Sequence, residues 1–167
     1  MKFALFRHAQ KGILPFEDPE LTSSGFEQSS NLLILLKDKA LPTPNQIEVS
    51  PKRRTSQTLN PIARFVGITP QVTELLNQRI DEESKTQFRN RVQQYLQQID
   101  SLSNAENQKQ NVMFACTHYD WLEEAMSLIN CNKNLTSFEF SHWAPSQHLI
   151  FDVENTHWKY IGKGTAK

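Results

Sequence analysis

Two short segments limit the choice of fold most. FALF at 3–6 and VMFAC at 112–116 are apolar at every position. A strand with one face in water alternates apolar and polar residues, whereas one covered on both faces does not. Both segments therefore predict buried strands, Lys2 to Phe6 and Val112 to Cys116, the second running parallel to its neighbours. Strands of that kind need helices over both faces of the sheet.

The rest of the chain supplies them. LTSSGFEQSSNLLILLKDK at 21–39 predicts a helix through about Leu36, with Ser24 and Glu27 as a capping box and Phe26, Leu32, Leu33 and Leu36 toward the core. QIEVS at 46–50 alternates as a strand. In SPKRRTSQTLNPIARFVG, Ser50 and Pro51 read as a helix start, Pro61 as a kink or interruption, and Gly67 as the stop. A brief strand at PQVTEL and an amphipathic helix from Lys85 to about Leu102 follow, then a solvated loop, SNAENQKQN, at 103–111. After the second buried strand, DWLEEAMSLIN reads as a helix capped by Asp120. LTSFEF, QHLIFDV and HWKYIG close the chain as strands. Strands alternating with helices predict a three-layer α/β/α sandwich on a mostly parallel sheet with antiparallel edge strands, in one domain over 1–167.

Composition narrows the function classes. Lys and Arg total 18, Asp and Glu total 18, and the formal net charge is zero, so no overall attraction to nucleic acid or anionic membrane is expected. The two cysteines, Cys116 and Cys131, form no CxxC pair. No apolar run approaches the ~18 residues of a membrane span. His142, His148 and His157 lack ligand spacing, and Trp121, Trp143 and Trp158 read as packing residues. No GxGxxG follows the first strand, which removes a dinucleotide reading. A first strand starting at residue 2 leaves no room for a signal peptide, and a cytoplasmic protein is the expectation.

Three strand ends carry the chemistry. Phe6 runs into Arg7–His8, Val49 into Ser50-Pro51 with Arg54 beyond, and Ala115 into Thr117–His118. In sheets of this class ligands sit beyond the carboxyl ends of the strands. Two arginines, two histidines and nearby helix N-termini at one spot would bind a phosphoryl group, and a neutral imidazole can attack phosphorus.

Four blocks then show a family likeness. LFRHAQ, LTSSGFEQSSNLLILL, SPKRRTSQTL and VMFACTHYDWLEEAM resemble, in order and over about residues 2–130, the signatures of the histidine phosphatase superfamily, also called phosphoglycerate mutase-like. The resemblance implies a metal-independent, cofactor-free phosphatase in which His8 becomes phosphohistidine while Arg7, Arg54 and His118 bind the phosphoryl group. Arg54, four residues after Ser50, is the match, and Arg53 is its neighbour. The acid/base carboxylate of larger members falls nearest Glu74, with Asp81, Glu82 and Glu83 as rivals, because the glycine and tryptophan that usually follow are missing. Ala9 and Tyr119 stand where glycine is common, and Gln10 and Lys11 occupy positions that often contact substrate.

The span from Arg54 to His118 is short, which makes the chain most similar to the short bacterial phosphohistidine phosphatases. The implied substrate is phosphohistidine on a protein. A small-molecule phosphomonoester, or a silent phosphate-binding module with no turnover, are the competing readings.

Overall fold

The computed structural model describes residues 1–104 and 110–167. Most of the loop read at 103–111 therefore lies outside the described residues. The elements, in chain order, are β1 (Lys2–Arg7), α1 (Ser23–Lys37), β2 (Gln46–Val49), α2 (Arg53–Val66), β3 (Gln71–Val72), α3 (Lys85–Asn104), β4 (Val112–Thr117), α4 (Tyr119–Leu128), β5 (Gln147–Glu154) and β6 (His157–Thr165). They form one six-stranded sheet in the order β3-β2-β4-β1-β5-β6. The first four strands of that order are parallel, and β5 is reversed, pairing antiparallel with both β1 and β6. The expected sandwich is present, with β1 and β4 paired at its centre.

The all-apolar runs of β1 and β4 divide by parity. Phe3, Leu5, Met113 and Ala115 face a cluster with α3 and α4, including Phe88, Tyr95, Trp121 and Leu122. Ala4, Phe6, Phe114 and Cys116 face α1 and α2, against Leu32, Leu36, Leu59 and Ile62. All eight strand residues are fully buried, and burying each large one is worth about 1.5–3 kcal/mol relative to exposure. Trp121, Trp143 and Trp158 are core residues, as read from the sequence. No helix among the described residues is long and apolar enough to cross a membrane.

Several local expectations need correction. Thr22, not Ser24, caps α1, its side chain accepting from Gly25 N at 3.1 Å. The chain enters α1 two residues early because Thr22 N is already held by Gln10 O at 2.9 Å. That approach also explains Gly25, since a Cβ there would stand 2.1 Å from Gln10 O. At α2, Ser50 is not the helix cap. The helix starts at Arg53, whose N–H is taken by Asp18 Oδ1 at 3.1 Å from the loop after β1.

Pro61 does not interrupt α2, which runs through to Gly67 in the left-handed C-cap conformation (φ 74°). A proline deprives the carbonyl four residues earlier of its donor. Here that carbonyl is Gln57 O, and Ser29 Oγ of α1 reaches it at 2.9 Å. The neighbouring helix thus offsets the defect, which a single-segment reading cannot foresee.

Asp120 does not cap α4; His118 occupies the N-cap position, and Asp120 turns its carboxylate to Trp121 N and Arg79 N. LTSFEF is not a strand. Asn134 Oδ1 takes both Thr136 N and Thr136 Oγ1, and Phe138–Phe140 form a 3-10 turn. Its buried residues, Leu135 and Phe140, are five apart rather than alternate, and Phe138 is 86% exposed.

Candidate active site

β1, β2 and β4 end side by side at the carboxyl edge of the sheet, and the three expected groups meet there. His8 follows β1 directly. Its backbone is fixed on both sides, N–H to Thr117 O at 3.0 Å and carbonyl from Ser146 N at 3.3 Å. The next residue is tied to the second block, Ala9 N donating to Thr58 Oγ1 at 2.9 Å. Gln57 of the same helix accepts from Leu21 N at 3.0 Å. The Gln-Thr pair in SPKRRTSQTL therefore sutures the β1 loop to α2.

The His8 ring is 5% exposed. Its Nδ1 lies 2.7 Å from Ala9 O, an acceptor only, so Nδ1 carries the proton and Nε2 keeps its lone pair. The ring is held neutral, its pKa lowered to about 3. Burial is the main cause; the Ala9 carbonyl opposes it, and Arg54, Arg7 and Lys11 reinforce it. His118 packs edge-on at 5.3 Å between ring centroids.

His118 has a defined tautomer as well. Arg54 Nη2 is a donor and stands 3.2 Å from His118 Nδ1, so Nδ1 accepts. Nε2 then bears the proton and donates to Ser50 Oγ at 2.7 Å. Ser50 Oγ is braced in turn by Lys52 N and Thr55 Oγ1, both at 3.2 Å. Burial, followed by the Arg54 charge, holds the His118 pKa well below 6.5.

Arg54 is 2% exposed. Its Nη2 also donates to Gln78 Oε1, and its Nη1 lies 3.7 Å from Asp18 Oδ1. Arg7 donates from Nη1 to Trp143 O, and its guanidinium carbon lies 5.2 Å from the centre of the Tyr119 ring. The Nε atoms of both Arg7 and Arg54 are buried without a protein partner.

The carboxylate candidates lie elsewhere. Glu74 falls in a 3-10 turn after β3, is exposed, and accepts from Asn77 Nδ2 at 3.1 Å. No contact among the described residues joins it to His8, Arg54 or His118. Asp81 and Glu82 are exposed, and Glu83 is engaged by Arg91 through Nε and Nη2 at 2.8 and 2.7 Å. From this segment it is Gln78 that reaches the arginine. Arg91 shapes the segment by donating to the carbonyls of Glu74, Leu75, Asn77 and Gln78. Gln10 is exposed, its backbone fixed by Gln28 and Thr22, and Lys11 is exposed at the rim.

Sequence reasoning missed Ser50 as the partner of His118, and missed Asp18, Gln78 and Arg91 altogether. Arg53, passed over as a neighbour, clamps the β1 loop through Asp18 and Glu20. A cleft of 910 Å³ lies at the opposite end of β1 around Met1, Asp152 and Trp158. The converging groups are thus picked out by their chemistry, not by depth.

Solved structures match over nearly the whole chain. The protein histidine phosphatase SixA, complexed with tungstate, superposes with a TM-score of 0.74 at 15% identity, over 99% of this chain and 97% of that one. A SixA protein from Agrobacterium tumefaciens gives 0.72 at 21% identity, over 99% and 98%. The chain has the histidine phosphatase fold. A phosphoserine phosphatase from Entamoeba histolytica shares this fold too, at 0.70 and 15% identity, over 99% and 98%. No family model and no curated protein matches the sequence. Contacts join the four blocks: Gln10 to Thr22 and Gln28, Ala9 to Thr58, and Arg54 to His118.

Two expected results follow from this geometry. Ser50→Ala removes the acceptor of His118 Nε2–H and frees the ring to change tautomer or turn. Turnover of p-nitrophenyl phosphate is expected to fall about tenfold, the scale of one lost orienting hydrogen bond. The His118 15N shifts should move away from the Nε2–H pattern, and unchanged shifts would remove Ser50 from this role.

The second concerns acid. His8, His118 and His148 are all buried, with pKa values lowered chiefly by burial, His148 to about 4. Above the unfolded value of ~6.5 neither state takes up a proton at these rings. Below it only the unfolded chain does, until the folded values are reached. Stability is therefore lost as pH falls from 6.5, with each ring contributing up to about 1.4 kcal/mol per pH unit. Thermal melts from pH 7 to 4.5 should show the decline, shallower in a His8→Ala protein.

Proposed function

We propose that this protein is a metal-independent phosphatase that works through a phosphohistidine on His8. The observation that carries the reading is the state of His8: neutral, Nδ1 committed to Ala9 O, Nε2 free, and flanked by Arg7, Arg54 and His118. In the first step the Nε2 lone pair attacks phosphorus and the leaving group departs with the bonding pair. Arg7 and Arg54 bind the equatorial oxygens, their unpartnered Nε groups supplying two donors. His118 acts through Arg54, its Nδ1 accepting from Nη2 and holding the guanidinium in place. In the second step water attacks phosphorus, inorganic phosphate leaves, and His8 is neutral again.

The leaving group decides the substrate. An alkoxide needs a proton as it departs, whereas an imidazole, aryl oxide or acyl group needs far less help. Glu74 faces solvent and Asn77. Asp120 is taken by two backbone N–H groups, and Asp18 by Arg53 and Arg54. Gln78, which does reach Arg54, has no acidic proton. We therefore assign substrates whose leaving group needs no proton donor at the departing atom, phosphohistidine foremost, since its imidazole leaves neutral with the proton on the distal ring nitrogen. Gln10 and Lys11 at the rim would contact the group that carries the phosphoryl.

The test compares phosphohistidine, p-nitrophenyl phosphate and phosphoserine, each with and without EDTA. Turnover of the first two should exceed that of phosphoserine by about 10²-fold or more, with no effect of chelation. Phosphoserine turned over as fast as phosphohistidine would assign an alkyl phosphomonoesterase, and tight phosphate binding without turnover of any would assign a silent module.

A further inference from the structure

The loop after β1 carries a feature that the phosphoryl chemistry does not use. Ile13, Leu14 and Phe16 are 79%, 77% and 88% exposed. Three large apolar side chains within four positions, all nearly free of contact, are not scattered surface residues; together they present roughly 400 Å² of apolar surface, the scale of a functional patch.

The loop is not loose at its base. Lys11 bridges Leu21, and Gly12 N donates to Glu20 O at 2.7 Å. On the far side Arg53 grips Asp18 and Glu20, and Lys52 Nζ donates to Glu17 O at 3.0 Å. Residues 13–16 are thereby held out as a prong on a fixed stem. That stem is part of the site wall, since Asp18 Oδ1 stands 3.7 Å from the buried Arg54.

We propose that the Ile13-Leu14-Pro15-Phe16 prong is a docking element for a protein that carries the phosphoryl group, seating its surface while the phosphoryl side chain enters the His8 site. This rests on the phosphatase reading above and adds the partner. Three observations select that occupant. The prong rises from the loop whose Asp18 reaches the buried Arg54, so a large body that bears the phosphoryl group lies alongside it, whereas a small substrate does not. Its area is about half of the ~800 Å² per partner in a stable complex, which suits a transient encounter and not a permanent second copy. The charged groups around it balance, Lys11, Lys52 and Arg53 against Glu17, Asp18 and Glu20, so an anionic bilayer gains no electrostatic hold. The partner chemistry is an apolar surface around the phosphorylated residue.

The test uses an Ile13→Ser/Leu14→Ser/Phe16→Ser protein and three substrates. These are p-nitrophenyl phosphate, free phosphohistidine, and a histidine phosphotransfer domain phosphorylated with phosphoramidate. The exposed positions leave folding intact, and circular dichroism checks this. The expected result is at least a tenfold loss of kcat/KM on the phosphorylated domain, carried by KM, and less than a twofold change on the two small substrates. Equal changes on all three, or none on the domain, would overturn the proposal. So would prong-dependent sedimentation with 3:1 phosphatidylcholine–phosphatidylglycerol vesicles, or a dimer that the triple substitution dissolves. Wild type inactive on all three substrates would instead refute the phosphatase reading itself, so the two failures are told apart.

Discussion

His8→Ala is expected to abolish phosphoryl transfer, lowering turnover of p-nitrophenyl phosphate by about 10⁵-fold or more. Losing the nucleophile of a covalent mechanism costs nearly all of the catalysis that the site supplies, because no other group forms the bond. No substitute stands nearby among the described residues. His118 is the second imidazole at the site, and both its nitrogens are engaged, by Arg54 and Ser50. Cys116 is fully buried, and burial pushes its thiol up, which keeps it protonated. The direct check is a rapid acid-free quench of wild type with 32P-labelled substrate, followed by treatment at low and at high pH. Label on the protein should be lost in acid and kept in alkali, as a phosphoramidate requires, and His8→Ala should trap none.

The same variant separates chemistry from folding. The His8 ring accepts no stabilising charge interaction in the folded state, and its proton is refused there down to about pH 3. Removing it should leave the melting temperature near neutrality within a few degrees and make the acid decline shallower. A His8→Ala protein that retained turnover within tenfold of wild type would end the nucleophile assignment, whatever its stability.

The contrast between what was legible and what was not follows the range of the interactions. FALF and VMFAC announced two-sided burial, and their neighbours across the sheet are now known to be each other. Arg7, His8, Arg54 and His118 were legible because each stands at a strand end or one turn into a helix, so knowing the strands places the side chains. Ser50 was misread because a serine before a proline satisfies a local rule; its hydroxyl instead serves a histidine 68 residues away. α2 runs on past Pro61 for a similar reason, since the hydroxyl that offsets the lost donor belongs to another helix. Asp18 capping α2 and Arg91 shaping the Gln78 turn are also long-range contacts. A loop aspartate and a helix arginine look like solvated charges until their partners are brought alongside. Glu74 illustrates the converse: a local pattern suggested a role, and the turn it starts delivers Gln78 to the arginine instead.

The second large effect is expected at Arg54, and it is specific to that arginine. Arg54→Lys keeps the positive charge but replaces a planar fork of donors with a flexible point charge. Arg54 uses Nη2 on both Gln78 and His118 and leaves Nε without a protein partner, a division of donors that an ammonium cannot reproduce. Turnover should fall by about 10²–10³-fold, the scale of losing a donor aimed at developing charge. Arg53→Lys, one residue away, removes only part of the clamp on Asp18 and Glu20 and should cost less than tenfold. His118 offers an independent readout, because the Arg54 charge is the second cause of its lowered pKa after burial. In Arg54→Gln the His118 pKa should rise, seen by NMR titration of the ring, while Arg53→Gln should leave it in place. If Arg53 substitutions prove the more damaging pair, the alignment of the second block is off by one residue and the phosphoryl clamp must be built from a different side chain.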